Sequence, residues 1–427
     1  KVFLAIPSLN GKRKKEIIDN ILKFNLPVME VPTINEIISG TKAINAMKSI
    51  DINDLLYRDV AFSSNFLLKN SISNSVVLVT GAAGSIGSEI CRQSLLLNPK
   101  KLILVDHSEA DLYKISSEIN NIKHDLNIEI EFVLGSVLNK SFFQGLVTKH
   151  SVEIIFHCAA YKHVPILESN PLIGIYNNVL STKIVCECAM KAKIDKVILI
   201  STDKAVRPTN LMGATKRLAE LLIQAFDYES KQFFKDNKLS KATKFSVVRF
   251  GNVLESSGSV VPLFKSQIEK GGPVTLTHKD IVRYFMTITE AAQLVLQASS
   301  LSKGGDVFLL DMGEPILIKD LAKKMIALAG LTLKNSENPL GDIEILISGL
   351  RPGEKIREEL LINGKSIPTS HKLIYKAVEN FIIKDELMPF LEIIEHELNL
   401  NNQKKVIQVL GDLVPEWKIS KDILCLK

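Results

Sequence analysis

Val76-Val77-Leu78-Val79-Thr80-Gly81-Ala82-Ala83-Gly84-Ser85-Ile86-Gly87 reads as a buried strand that runs into a G-x-x-G-x-x-G turn and the start of a helix. An unbroken run of β-branched and aliphatic residues suits a strand covered on both faces, as in a parallel sheet. The three glycines have separate uses. Gly81 permits the tight turn, Gly84 lets backbone approach a pyrophosphate, and Gly87 lets helix and strand pack closely. The N–H groups at the helix start, with Ser85 and Ile86 among the candidate contacts, face the phosphates. The next apolar run, Leu102-Ile103-Leu104-Val105, delivers Asp106. A carboxylate there accepts hydrogen bonds from an adenosine ribose and repels a 2′-phosphate, and the residue after it is His107 rather than arginine. The stretch therefore points to NAD in preference to NADP.

Outward from this stretch, short apolar strands alternate with amphipathic helices. Strands are predicted at 76–79, 101–105, 128–133, 154–157, 196–200 and 244–249, and helices at 86–97, 109–121, 142–150, 180–193 and 215–226. Right-handed crossovers turn this rhythm into an α/β fold with a doubly wound parallel (Rossmann) sheet. Residues 1–70 read as a partial N-terminal α/β unit and linker, with a strand at 2–6, a helix at 12–24, a strand at 28–31 and a short helix near 34–38. Residues 71–251 form the expected NAD-binding domain. Residues 252–380 break into Gly- and Pro-marked pieces and read as a smaller substrate-binding lobe, with a strand returning to the sheet allowed for. Residues 381–427 read as a C-terminal helical segment, with helical apolar spacing from Leu387 to Leu410.

Composition excludes several classes. A chain of 427 residues with 46% hydrophobic and 23% charged residues is globular rather than disordered or fibrous. The net charge of +6 is spread over scattered lysines, which argues against a nucleic-acid surface and suits an anionic small substrate. Five cysteines, among them the pair Cys186 and Cys188, show no metal-ligand spacing and read as buried thiols of a reducing compartment. No apolar run reaches the roughly 18 residues of a membrane helix. The chain opens on Lys1 rather than methionine, so a preceding segment is expected.

Chemistry-bearing residues gather at strand ends. Gly135-Ser136-Val137 follows the third strand, where an adenine would lie. His157-Cys158-Ala159-Ala160-Tyr161-Lys162-His163 follows the fourth, with Ala159 and Ala160 small enough for a cofactor to approach. His157 and His163 are open to a catalytic reading or to one as loop-supporting histidines. Ser201-Thr202-Asp203-Lys204 follows the fifth strand and sets a hydroxyl, a carboxylate and an amine side by side, with Lys216 in the helix beyond. The carboxyl ends of strands are where open α/β sheets bind ligands.

With these blocks in hand, the chain resembles the extended short-chain dehydrogenase/reductase family over about residues 75–380. More narrowly it is similar to the membrane-anchored nucleotide-sugar 4,6-dehydratases of bacterial polysaccharide and glycan synthesis. Thr80 to Gly87, Ala159 to Pro165, Ser201 to Asn210, Val248 to Leu254, Arg283 to Ile288 and Gly349 to Lys355 carry the resemblance. It implies membrane helices ahead of Lys1, a full-length product anchored at the inner face of the cell membrane, and a cytoplasmic location for this portion. A UDP-sugar and a homo-oligomer are the expected partners; nucleic acid is not. Two departures stand out. The superfamily's YxxxK tyrosine is replaced by Met212, as in the larger dehydratases, and Ser136 stands where relatives more often carry an aspartate.

The resemblance implies NAD-dependent conversion of a UDP-N-acetylhexosamine, most simply UDP-N-acetylglucosamine, to a UDP-4-keto-6-deoxy sugar. A thioether cannot take a proton, so Thr202 is the candidate base or relay for the C4 hydroxyl, with Lys216 placing the nicotinamide ribose. Lys204 would remove the C5 proton and Asp203 would protonate the departing C6 hydroxyl, or these two roles are exchanged. For the substrate, Arg283 and Arg351 suit the diphosphate, and Asn252, Glu354 and His163 complete the set. A 4-epimerase, or an NAD-binding regulator without activity, are the competing readings.

Overall fold

A computed structural model describes residues 2–6, 9, 11–22, 24, 26, 28–31, 48, 49, 64–123, 128–236, 241–362, 364–419 and 423. The expected helix near residues 34–38 lies outside them. The chain divides into two units, each assembled from three stretches. The larger holds 62–251, 288–311 and 352–427; the smaller holds 1–61, 252–287 and 312–351.

The larger unit is built on a nine-stranded sheet. In chain order its strands are β1 (Val76–Thr80), β2 (Lys101–Asp106), β3 (Glu129–Leu134), β4 (Ile154–His157), β5 (Lys196–Thr202), β6 (Lys244–Phe250), β7 (Val307–Leu310), β8 (Ser366–Pro368) and β9 (Ile374–Ala377). Across the sheet they run β3-β2-β1-β4-β5-β6-β7-β9-β8. All neighbours from β3 to β7 are parallel, and β9 and β8 close the edge antiparallel. The order reverses beside β1, so the ends of β1 and β4 open the crevice where such sheets bind ligands. The doubly wound parallel sheet expected from the sequence is thus present, and β7, β8 and β9 return to it from beyond residue 252.

Every residue of β1 is buried, because helices cover both faces. One layer comprises Lys140–Lys149, Ser181–Ala192, Leu211–Asp236 and Lys384–Asn399; the other comprises Asn65–Ile72, Ser85–Leu95, Glu109–Lys123 and Ile288–Leu301. Leu78, Ile103, Phe143, Ile155, Leu218, Phe226 and Leu391 share one core. Leu211–Asp236 begins four residues before the helix predicted there and runs for 26 residues. The helical spacing over 387–410 is that of two helices, Lys384–Asn399 and Gln403–Leu413. Asn401 takes a left-handed conformation between them, and the Asn402 side chain caps the second at Lys405 N.

In the smaller unit Val2–Leu4 and Val28–Glu30 pair in parallel around helix Gly11–Leu22, giving the expected βαβ unit. Its Ile18 and Leu22 share a core with Phe264, Ile268, Leu276, Leu321 and Ile343. The N-terminal residues therefore belong with segments some 250 positions later rather than forming a separate body.

Candidate active site

The turn after β1 explains its glycines by contact. Gly81 has φ +61°, and a Cβ on it would lie 2.7 Å from Ala159 N and Cα. A Cβ on Gly87 would lie 2.1 Å from Gly81 O. Both positions are thereby closed to any larger residue, which keeps the helix N-terminus tight against the turn. Gly84 is the N-cap of helix Ser85–Leu95, placing Ser85 and Ile86 in its first turn. Asp106 accepts from Ala83 N and Ser108 N, both at 3.0 Å, and is buried. Its remaining lone pairs are available to a ribose.

Beside this turn lies a groove lined by Gly81, Asp106, His107, Ser136, Val137, Ala159, Asn177 and Ser181. The buried Ser181 hydroxyl has no hydrogen-bond partner, an orphan that a bound polar ligand would satisfy. A glycine cradle, a ribose-facing carboxylate and an unpartnered hydroxyl fit the adenosine end of a dinucleotide. Ser136 is exposed there, its hydroxyl accepting from Leu138 N.

The second cluster stands at the end of β5. Thr202 Oγ donates to Asp203 Oδ1 at 2.9 Å, and Lys204 Nζ reaches the same oxygen at 3.0 Å. Asp203 is fully buried, and its Oδ2 has no hydrogen-bond partner. Lys204 also lies 3.7 Å from the buried Glu358 carboxylate. The acid and amine of the sequence are therefore in contact, with a third carboxylate beside them.

Behind the cluster, Met212 and Lys216 lie one turn apart on helix Leu211–Asp236 and so share a face. Met212 is buried. Lys216 Nζ donates to Ile200 O at 2.6 Å. Burial pushes this amine down to about 8, against the upward pull of Glu220 and Cys158. The Cys158 thiol is pushed up to about 12 by burial, which keeps it neutral and unreactive.

Ser201 ties the cluster to a buried charge network. Its hydroxyl donates to Glu220 Oε1 at 2.6 Å. Arg249 donates to both Glu220 oxygens and to both Glu379 oxygens, and Arg217 bridges the same two carboxylates. Burial alone would raise the Glu220 carboxyl; the two arginines overcome it and hold it low. Residues 352–362 pack on the turn after Lys204: Gly353 O accepts from Thr209 and Asn210, and Lys355 Nζ donates to Val206 O.

His157 takes the structural of its two readings. Thr80 Oγ approaches its Nδ1 at 2.7 Å and Thr182 Oγ its Nε2 at 3.3 Å. Burial, with Lys216 nearby, pushes the imidazole down to about 3. It is a neutral buried link between β1, β4 and a helix. His163 is exposed at the N-cap of Val164–Ser169 and does not line the groove.

Two residues escaped the sequence. Asn178 sits in a π-helical turn, Tyr176–Leu180, and is buried. Its amide accepts from Tyr161 N and donates to Tyr161 O and Thr215 Oγ. An Asn-Asn pair inside an apolar helical run was the available signal, since buried amides need partners and π-turns gather at functional sites. Glu358 had no such signal, standing among other charged residues. Of the remaining substrate candidates, Glu354 is half-buried in the larger unit. Asn252, Arg283 and Arg351 belong to the smaller one. There Asn252 opens a two-residue strand paired with Phe285–Met286, Arg283 is buried, and Arg351 is exposed.

Comparison with known proteins gives a match to a family model described as polysaccharide biosynthesis protein, over residues 77–379. The chain is 43% identical over 410 residues to the capsular polysaccharide biosynthesis protein CapD of Staphylococcus aureus, covering 96% of this chain and 65% of that protein. It thus spans less than two thirds of that relative's length. It is 33% identical over 293 residues to a UDP-glucose 4-epimerase of Rickettsia rickettsii, covering 67% of this chain and 78% of that one. Among solved structures, Pen from Bacillus thuringiensis aligns with a TM-score of 0.62 at 31% identity, covering 75% of this chain and 98% of that one.

Proposed function

The chain belongs to the polysaccharide biosynthesis protein family, and from that premise we propose that it is an NAD-dependent 4,6-dehydratase of a UDP-N-acetylhexosamine, with UDP-N-acetylglucosamine as the first candidate. The observation that carries this is the buried Asp203 touching both Thr202 and Lys204. Dehydration across C5 and C6 needs an acid and a base within one substrate's reach, and this turn supplies both.

When bound, NAD would supply the hydride acceptor and donor that make oxidation at C4 and reduction at C6 one redox-neutral cycle. The chain's own residues then manage protons. Thr202 Oγ takes the C4 hydroxyl proton and relays it to the Asp203 oxygen it already touches. Lys204 removes the C5 proton, acidified by the neighbouring C4 ketone. Asp203 protonates the departing C6 hydroxyl, and its buried Oδ2, bare of protein donors, is the oxygen we assign to that transfer. With Lys204 between two carboxylates, the exchanged assignment of acid and base uses the same contacts. Lys216 orients the nicotinamide ribose, and Arg283 and Arg351 are the proposed diphosphate ligands. The same reading makes the full-length protein a membrane-anchored enzyme of polysaccharide assembly; among the described residues no helix is long and apolar enough to cross a membrane.

The resemblance to a UDP-glucose 4-epimerase supports a second reading, 4-epimerisation, which shares the C4 oxidation but has no use for Asp203 beside Lys204. Incubation with UDP-N-acetylglucosamine in deuterated water separates them by product NMR. A dehydratase yields a 4-keto-6-deoxy sugar labelled at C5; an unlabelled 4-epimer sinks the proposal. Asp203→Asn and Lys204→Ala should each abolish the product while NAD stays bound, and full turnover by either would remove it from the mechanism.

A further inference from the structure

Two exposed rings meet across the mouth of the glycine turn. His107 directly follows β2 and Tyr161 lies four residues after β4, while β1 runs between those strands, with Thr80 in register with both Val105 and His157. Strands separated by one neighbour lie about 9.5 Å apart. The two side chains converge over that gap into an edge-to-face pair, with centroids 6.3 Å apart and planes at 77°. Geometry of this kind is an attractive aromatic contact. It spans the end of β1, where the Gly81 turn and the groove wall lie.

Neither ring is explained by the core. The His107 side chain is 61% exposed and Tyr161 is 39% exposed. Yet Tyr161 is fixed in place: the Asn178 amide bonds both its N–H and its C=O, at 2.8 and 3.0 Å. A buried asparagine on a π-helical turn thereby fixes the backbone from which the exposed ring projects. On the other side, His107 is attached to Asp106, whose carboxylate is anchored by two backbone N–H groups. Both halves of the pair are therefore mounted on rigid supports.

We propose that His107 and Tyr161 form a two-ring clasp across the glycine turn that slows the release of a bound dinucleotide. The inference rests on the NAD-binding part of the function proposed above and adds to it the residues that retain the cofactor. A redox-neutral cycle returns the dinucleotide to its starting state at every turnover, so nothing in the reaction calls for exchange. The rings have to part for the dinucleotide to leave, and the pair contact opposes that opening.

Release of NADH from the whole chain, followed by its fluorescence after mixing with excess NAD, tests this. Tyr161→Ala and His107→Ala should each speed release about three- to tenfold, the range expected of one aromatic pair. The double variant should be little faster than the faster single one, because both remove the same contact. Tyr161→Phe keeps the ring and should release slowly. Release at the parent rate in both alanine variants, or effects that multiply in the double, overturns the clasp while leaving NAD binding intact. A parent chain that binds no NADH overturns the clasp and the proposed function together.

Discussion

Lys216 concentrates the conflict between burial and charge that this site exploits. An amine in the protein interior loses hydration, and here the upward pull of Glu220 and Cys158 only partly offsets that loss, leaving the group at about 8. Its value in the unfolded chain is near 10.5. Between those values the unfolded chain binds more protons than the folded one, so stability rises with pH across that window. Below about pH 8 both states are protonated and the full desolvation cost is present. We expect parent stability, relative to Lys216→Met, to increase by roughly 3 kcal/mol between pH 7.5 and 10.5, two to three units at 1.36 kcal/mol each. Urea unfolding of both chains at the two pH values measures it. A difference that stays flat would show that the amine is better solvated than its burial indicates.

At the scale of elements, the turn proposed to be catalytic depends on how closely helix Leu211–Asp236 approaches it. A Cβ at Gly213 would lie 2.1 Å from Lys204 O and 3.1 Å from Pro208 Cβ. Gly213→Ala must therefore push the turn carrying Asp203 and Lys204 outward. Displacements of an ångström at reacting groups cost on the order of a hundredfold in rate, so turnover should fall at least tenfold while NADH binding persists. Gly145→Ala, where a Cβ meets nothing within 4 Å, is the matched control and should leave both properties alone. Steady-state kinetics and NADH titration on the two variants decide it. The six parallel strands β1 to β6 were legible because each apolar run is bounded by polar residues, whereas β7, β8 and β9 were not placed; Gly81, Gly87 and Asp106 carry a pattern whose spacing has one mechanical use. Gly213 did not announce itself: one glycine at a helix start reads as a cap. The break at Asn401 was also passed over, although an Asn-Leu-Asn-Asn run supplies both a left-handed residue and a cap for the next helix. The π-turn holding Asn178 left no periodic trace because it interrupts a helix without ending its apolar spacing.

The whole molecule shows what local patterns cannot carry. Arg249 on β6, Glu220 and Arg217 on one helix, and Glu379 beyond β9 form a single buried network, yet they lie up to about 160 positions apart and each reads alone as a surface charge. The same holds for the N-terminal residues. A βαβ pattern over residues 2–31 reads as part of a preceding domain, but its apolar face finds its partners in 252–351. Ile18 is completely buried in that shared core, and Lys324 binds Asp19 at 2.7 Å. The stretch thus stabilises the unit that holds Asn252, Arg283 and Arg351, the proposed substrate ligands, while the groove proposed for the dinucleotide is built wholly from the other unit. Ile18→Asp places an unpaired carboxylate in a closed core, a change worth several kcal/mol. If the division of labour is right, this variant should lose UDP-sugar affinity at least tenfold and lower the melting temperature of the smaller unit, with NADH affinity within twofold of the parent. Titrating each ligand separately makes the comparison. Equal losses for both would mean that the N-terminal residues support the entire chain rather than the unit proposed to bind substrate.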